Sequence, residues 1–94
     1  MTDHRFVVPA SHPSLPGHFP GHPVVPGVVL LDHVLRCQPG ATLLAAKFIA
    51  PVLPETAVEI SFQPGAGGRV AFTCRAGGQT VLHGSLSAPS LATA

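Results

Sequence analysis

The stretch from Leu15 to Leu35, LPGHFPGHPVVPGVVLLDHVL, leaves the chain the fewest options. Its first half is punctuated by Pro16, Pro20, Pro23 and Pro26 and by Gly17, Gly21 and Gly27. Proline locks φ and removes a hydrogen-bond donor, so this half reads as a stiff loop. The second half is an apolar run, Val28-Val29-Leu30-Leu31, followed by Asp32-His33 and Val34-Leu35. Pro26 at the first helical position and Pro39-Gly40 beyond Cys37 bracket one helix of about three turns, from Pro26 to Cys37. That helix is apolar nearly all the way round, and a helix of that kind is a buried one. No second helical pattern is evident to cover it. The expectation is a single buried helix wrapped by a sheet, with a rigid His-containing loop feeding its N-terminus.

The rest of the chain supplies the sheet. Arg5 to Val8 is a short strand candidate closed by Pro9, and Ala10 to Pro26 is loop. From Thr42 an apolar run reaches Ile49, and periodicity alone leaves helix or strand open there. The aromatic and β-branched pair Phe48-Ile49, with Pro51 and Pro54 close behind, favours strand. Ala57 to Gln63 alternates, with Val58, Ile60 and Phe62 opposite Glu59, Ser61 and Gln63. Arg69 to Ala76 alternates again, with Val70, Phe72 and Cys74 on the apolar side. Pro64 to Gly68 is a turn, Gly77-Gly78 is a two-residue hairpin signal, and Gln79 to Ser87 is the last strand. Ala88 to Ala94 reads as a flexible tail. The fold class is therefore α+β: one domain over residues 1–94, with one central helix and an antiparallel sheet of about five strands.

Composition decides what surrounds this domain. Of 94 residues, 46% are hydrophobic and 10% are charged, which is more apolar surface than a monomer of this size hides. Association through an apolar interface is the simplest outlet. The net charge is +1 and the five Lys and Arg are scattered, which argues against a nucleic-acid partner. No apolar run approaches the length needed to span a bilayer. Cys37 and Cys74 stand far apart in a chain without a secretory-type start. They read as reduced thiols of a cytoplasmic protein, small buried hydrophobes and not nucleophiles.

The loop and the helix also hold chemistry. His18 sits where proline and glycine stiffen the backbone, so its side chain can be held at low entropic cost. Asp32 falls mid-helix, and burial there would raise its pKa and keep a carboxylic acid at hand. The helix N-terminus at Pro26-Gly27-Val28 offers free backbone N–H groups and a positive dipole end, suited to a developing oxyanion. Base, acid and oxyanion donor together suggest proton abstraction beside a carbonyl, with loss or movement of a neighbouring group. Plainer readings stand next to these. Asp32 and Arg36 are spaced i, i+4, which allows a helix-surface ion pair. A His in such a loop can simply pack or cap. His18 and His22 with Asp32 could ligate a metal, but no Cys joins them and no metal is expected. His4, His12, His33 and His83 read as surface or packing residues.

Residues 17–27, GHFPGHPVVPG, followed by VVLLD, resemble the active-site motif of the 3-hydroxyacyl-[acyl-carrier-protein] dehydratases, hotdog-fold enzymes of fatty-acid synthesis. Lys47-Phe48, Pro51-Val52 and Pro54 extend the similarity, which runs over roughly residues 6–87. Within that family the chain looks most like the small thioester dehydratases of aryl-polyene pathways. The resemblance implies a hotdog domain in which His18 is the catalytic base and Asp32, fourteen positions on, the catalytic carboxylate. It places the thioester carbonyl on the Gly27 N–H and makes Gly27, Val28, Phe19 and Pro26 substrate-binding residues. His and carboxylate would come from opposite subunits. The carboxylate is Asp where the larger branch of the family has Glu, and the segment that usually precedes the first strand is not expected.

The activity so implied is dehydration of a 3-hydroxyacyl thioester to a trans-2-enoyl thioester, with the acyl chain in an apolar tunnel at the subunit interface and no cofactor. The partners implied are an acyl carrier protein and a second hotdog subunit, identical or different. Arg5, Arg36, Lys47, Arg69 and Arg75 are the candidate docking charges for an acidic carrier. A different class of function is a catalytically weak hotdog subunit that holds acyl chains or completes a partner's site. A thioesterase would use the same fold with a carboxylate-activated water, and the His–Asp spacing and the HFPG loop argue against it.

Overall fold

The computed structural model describes residues 4–9 and 25–87. Residues 10–24, with His12, His18, Phe19 and His22 and the loop expected there, and residues 88–94, with the expected tail, lie outside the described residues. Five strands and one long helix appear in the order β1 (His4–Val7), α1 (Gly27–Cys37), β2 (Thr42–Phe48), β3 (Ala57–Pro64), β4 (Arg69–Ala76) and β5 (Gln79–Ser87). A short helical turn at Ala66–Gly68 joins β3 to β4.

The strands make one antiparallel sheet in the order β1-β3-β4-β5-β2. β3, β4 and β5 form a meander, and the two strands nearest the start of the chain occupy its edges. At Gly77-Gly78 φ is +60° and +80°, the left-handed pair that a tight hairpin needs and that glycine takes without steric penalty. Alternation sets the faces. Val58 and Ile60 of β3, Phe72 and Cys74 of β4, and Leu82 and Leu86 of β5 point to one side and are fully covered. Val29, Leu30 and Val34 of α1 close over them. Two extra residues interrupt the ladders. Leu44 is inserted between the pairs Leu43–Leu86 and Ala45–Ser85, and Val81 between Cys74–Leu82 and Arg75–Thr80. Bulges of this type bend a strand and increase its twist, which helps the sheet curl around the helix.

The helix begins where proline expects it to, with one shift of role. Pro26 has φ −59° but ψ 142°, so it precedes the first helical residue instead of being it. Its carbonyl accepts from the Val29 N–H at 2.9 Å. The far end closes at Gln38, whose N–H donates to Leu35 O at 3.1 Å, and Gly40 turns the chain with φ +83°. The helix is not buried all round. Val28, Asp32 and Arg36 form an exposed stripe at i, i+4, i+8. The residue-by-residue hydrophobicity overstated the coverage, because Val28, although apolar, is 73% exposed. One face of α1 is packed on the sheet and the opposite face is open.

Candidate active site

Three backbone ties fix the N-terminus of α1. Val25 N–H donates to Val52 O at 2.8 Å, pinning the entry to the helix against the segment after β2. Ile49 N–H donates to Val81 O at 2.8 Å, anchoring that segment on the β5 bulge. Glu55 N–H donates to Val8 O at 2.8 Å, tying it to the end of β1. The helix cap itself supplies no side-chain acceptor, and no acidic residue occupies the first turn. The Val29 N–H is taken up by the Pro26 carbonyl, while the Gly27 and Val28 N–H groups ahead of it have no acceptor within the helix and carry the positive end of the dipole. Gly27 heads this turn. A methyl group there would lie 2.5 Å from Phe48 Cε1 and 2.7 Å from Cζ, so the Phe48 ring lies directly over the glycine.

Two clefts meet at Val28. The first, about 570 Å³, is apolar and is lined by Gly27, Leu30 and Leu31 of the helix and by Phe48, Ile49 and Val52. Its size is that of a small-ligand site. The second, about 470 Å³, runs between β1 and the other side of the helix and is lined by Val7, Val8, Val28, Asp32, His33 and Arg36. Asp32 and Gly27 are five residues apart, a rise of about 7.5 Å along the axis.

Asp32 does not sit in the apolar environment expected of it. Its Oδ2 is 2.9 Å from Arg36 Nε, and the Arg36 and Asp32 side chains are 74% and 55% exposed. The ion-pair reading is the observed one, because the carboxylate lies on the open stripe of α1. His33 stacks on Phe6, with ring centroids 3.9 Å apart and planes 8° from parallel, and His4 meets Phe62 edge-on. His83 is exposed on β5. All three act as the packing or surface residues read from the sequence. Both cysteines are free thiols. Burial pushes the Cys37 thiol up, and burial with the neighbouring Cys37 pushes the Cys74 thiol up to about 12, so neither is a ready nucleophile.

Among the described residues, the structure places Gly27, Val28 and Asp32 on α1, which borders two clefts, with Pro26 as the residue just ahead of the helix. It adds Phe48 and the 49–52 segment, which the sequence reading had not assigned to a site. The available signal was Gly27 itself, a glycine where a helix would accept any residue, inviting the question of what lies against it.

The sequence pattern of the ApeI-like family, described as ApeI dehydratase, matches residues 2–85. The chain belongs to the ApeI-like dehydratase family. Curated relatives match over shorter stretches. The 3-hydroxyacyl-[acyl-carrier-protein] dehydratase FabZ of Aliarcobacter butzleri is 52% identical over 27 residues, covering 29% of this chain and 18% of that protein. FabZ of Syntrophomonas wolfei is 42% identical over 38 residues, covering 40% of this chain and 26% of that protein. The chain thus spans about a quarter or less of the length of these relatives. Among solved structures, the dehydratase heterocomplex ApeI:P from Xenorhabdus doucetiae superposes with a TM-score of 0.72 at 20% identity. That superposition covers 93% of this chain and 95% of the other. The likeness is one of fold, and with the five-stranded antiparallel sheet and the one long helix among the described residues it gives this ApeI-like chain a hotdog fold. No helix among the described residues is long and apolar enough to cross a membrane.

Proposed function

We propose that this chain, one hotdog domain over residues 1–94, is a cytoplasmic dehydratase. It converts a 3-hydroxyacyl thioester on acyl carrier protein to the trans-2-enoyl thioester. The observation that carries the reading is the uncapped N-terminus of α1 at Gly27, opening on an apolar cleft, with Asp32 on the same helix. In the proposed reaction His18 takes a proton from C2. The C2–H electron pair becomes the C2=C3 double bond as the C3–O bond breaks. The Asp32 carboxyl protonates the leaving hydroxyl, which departs as water. The Gly27 N–H and the helix dipole hold the negative charge that builds on the thioester oxygen. Transfer of the proton from His18 to Asp32, directly or through water, restores both groups. Phe19, Val28 and Pro26 contact the substrate.

This chemistry requires water to be kept from Asp32, and its open stripe on α1 supports a site completed by a second hotdog subunit. The outward-facing Leu44, Phe48 and Ile49 at the β2 edge are the apolar surface such a subunit would cover. The family membership and the heterocomplex named for the structural neighbour support a partner that is a different chain as much as a second copy. In that form the chain contributes part of a site whose other part is the partner's.

The test is turnover of a 3-hydroxyacyl-carrier-protein substrate followed by mass, with His18→Ala and Asp32→Asn alongside. A general acid or base contributes roughly 10²–10⁴-fold, so each variant should lose at least that much of the wild-type rate while keeping its circular dichroism. Enoyl product from wild type and full activity in His18→Ala would reject the assigned base. No product from wild type, restored by a co-purifying hotdog partner, would establish the partner-completed form. Free thiol without enoyl product would mark a thioesterase.

A further inference from the structure

The apolar cleft has walls of two kinds. Val25, Leu30 and Val52 are 3%, 2% and 2% exposed and are packed into the core, so they cannot yield to a ligand. Phe48 closes the sheet side of the cleft at the end of the edge strand β2, and it is 51% exposed. Its ring lies over Gly27, where there is no side chain to push it away. A chain whose carbonyl was held at the Gly27 amide would meet this ring, which lies against that glycine.

We propose that Phe48 is the specificity-determining residue for the acyl chain, a movable wall whose ring over Gly27 sets how long a chain the cleft admits. The inference rests on the dehydratase reading for the identity of the ligand, an acyl thioester, and on the geometry alone for the role of the ring. Short chains fit beneath the ring in its observed place. Longer chains must displace it from Gly27, and its place at the end of the edge strand, outside the core, makes that displacement possible without opening the core. Glycine at 27 is part of the same device. An added methyl would drive the ring off the amide and fill the space the first carbons need.

The test uses the full-length protein, with its partner if one co-purifies, and measures binding of enoyl-pantetheine thioesters of graded chain length by calorimetry. Wild type, Phe48→Leu and Phe48→Ala are compared, with circular dichroism and thermal melts confirming the fold of each. Removing the ring should shift the preference toward longer chains, with Phe48→Leu intermediate. One methylene gained or lost in an apolar pocket changes discrimination by about tenfold or more, so the long-to-short affinity ratio should move by at least roughly that factor. Gly27→Ala should weaken binding of every chain, and Gly27→Ala with Phe48→Ala should bind better than Gly27→Ala alone. Superimposable profiles for wild type and Phe48→Ala, or no binding by either, would overturn the proposal. Binding that shifts as described in a protein that never forms enoyl product would sustain the role of Phe48 while rejecting the dehydratase assignment.

Discussion

Replacing Gly84 by alanine sets two rules against each other. In a strand interior alanine is normally the better residue, by roughly 0.5–1 kcal/mol, because glycine loses more backbone freedom on folding. At Gly84 the methyl would run into the Ala45 carbonyl of β2 and approach Phe72 Cζ of β4 to 2.8 Å. One obstacle is backbone and the other a fully buried ring, so neither can swing aside. Overpacking of this kind costs about 1–3 kcal/mol, and a double clash belongs at the upper end. After subtracting the propensity gain, the variant should be less stable by roughly 2 kcal/mol, a fall in Tm of about 8–16 °C for a domain of this size. Thermal and urea melts by far-UV circular dichroism check it, at one fixed protein concentration because association shifts Tm by mass action. Phe72→Leu added to Gly84→Ala should recover less than half of the loss, because the Ala45 carbonyl remains. A Gly84→Ala protein as stable as wild type would refute the reasoning. The effect also reaches the site. Gly84 pairs with Ala46 and Leu82 with Phe48, so β2 pushed off β5 takes Phe48 away from Gly27.

Other expectations follow from single observations. The Cys74 thiol is raised from the ordinary 9.0 to about 12, so the unfolded chain gives up its proton first as pH rises. The stability this provides is complete below pH 9.0 and is lost between there and about 12, at up to roughly 1.4 kcal/mol per pH unit; Cys74→Ala should flatten that slope in alkaline urea titrations. Arg36→Ala removes an exposed i, i+4 pair and should change stability by no more than about 0.5 kcal/mol, measured by denaturant midpoint. Leu44→Lys with Ile49→Lys should leave the dichroism spectrum intact and reduce the sedimentation coefficient, and an unchanged coefficient would remove the β2 edge from the proposed interface. Affinity for an acidic carrier protein should fall as salt rises, and a salt-independent affinity would dismiss electrostatic docking.

Most of the architecture was legible because proline and glycine punctuate the chain at nearly every element end. Pro26 and Pro39-Gly40 bounded the helix within a residue, and the alternation in β3 and β4 assigned Val58, Ile60, Phe72 and Cys74 to the core. The bulges at Leu44 and Val81 were not legible. Each sits beside another apolar residue, Leu43 or Leu82, so one inserted position leaves no break in hydrophobicity to reveal it. The open stripe on α1 was present as the spacing of Val28, Asp32 and Arg36, but the valine disguised it as core. The Phe48–Gly27 contact joins residues distant in sequence, and only the closed sheet puts them together. The reading of His18 rests on the motif around it, because that loop lies outside the described residues.

The strand order has a consequence for how the protein is made. α1 and both edge strands precede the β3–β5 meander in the chain, and Ser87 comes fifty residues after Cys37. At synthesis rates of about 5–20 residues per second, Val29, Leu30 and Val34 wait roughly 3–10 s for the surface they pack on. During that interval an apolar helix and two unpaired strand edges are open to neighbouring chains, so soluble yield should depend on translation speed and chaperone supply as well as on final stability. The part of the chain that carries Gly27, Asp32 and Phe48 is made before the meander and covered only after it.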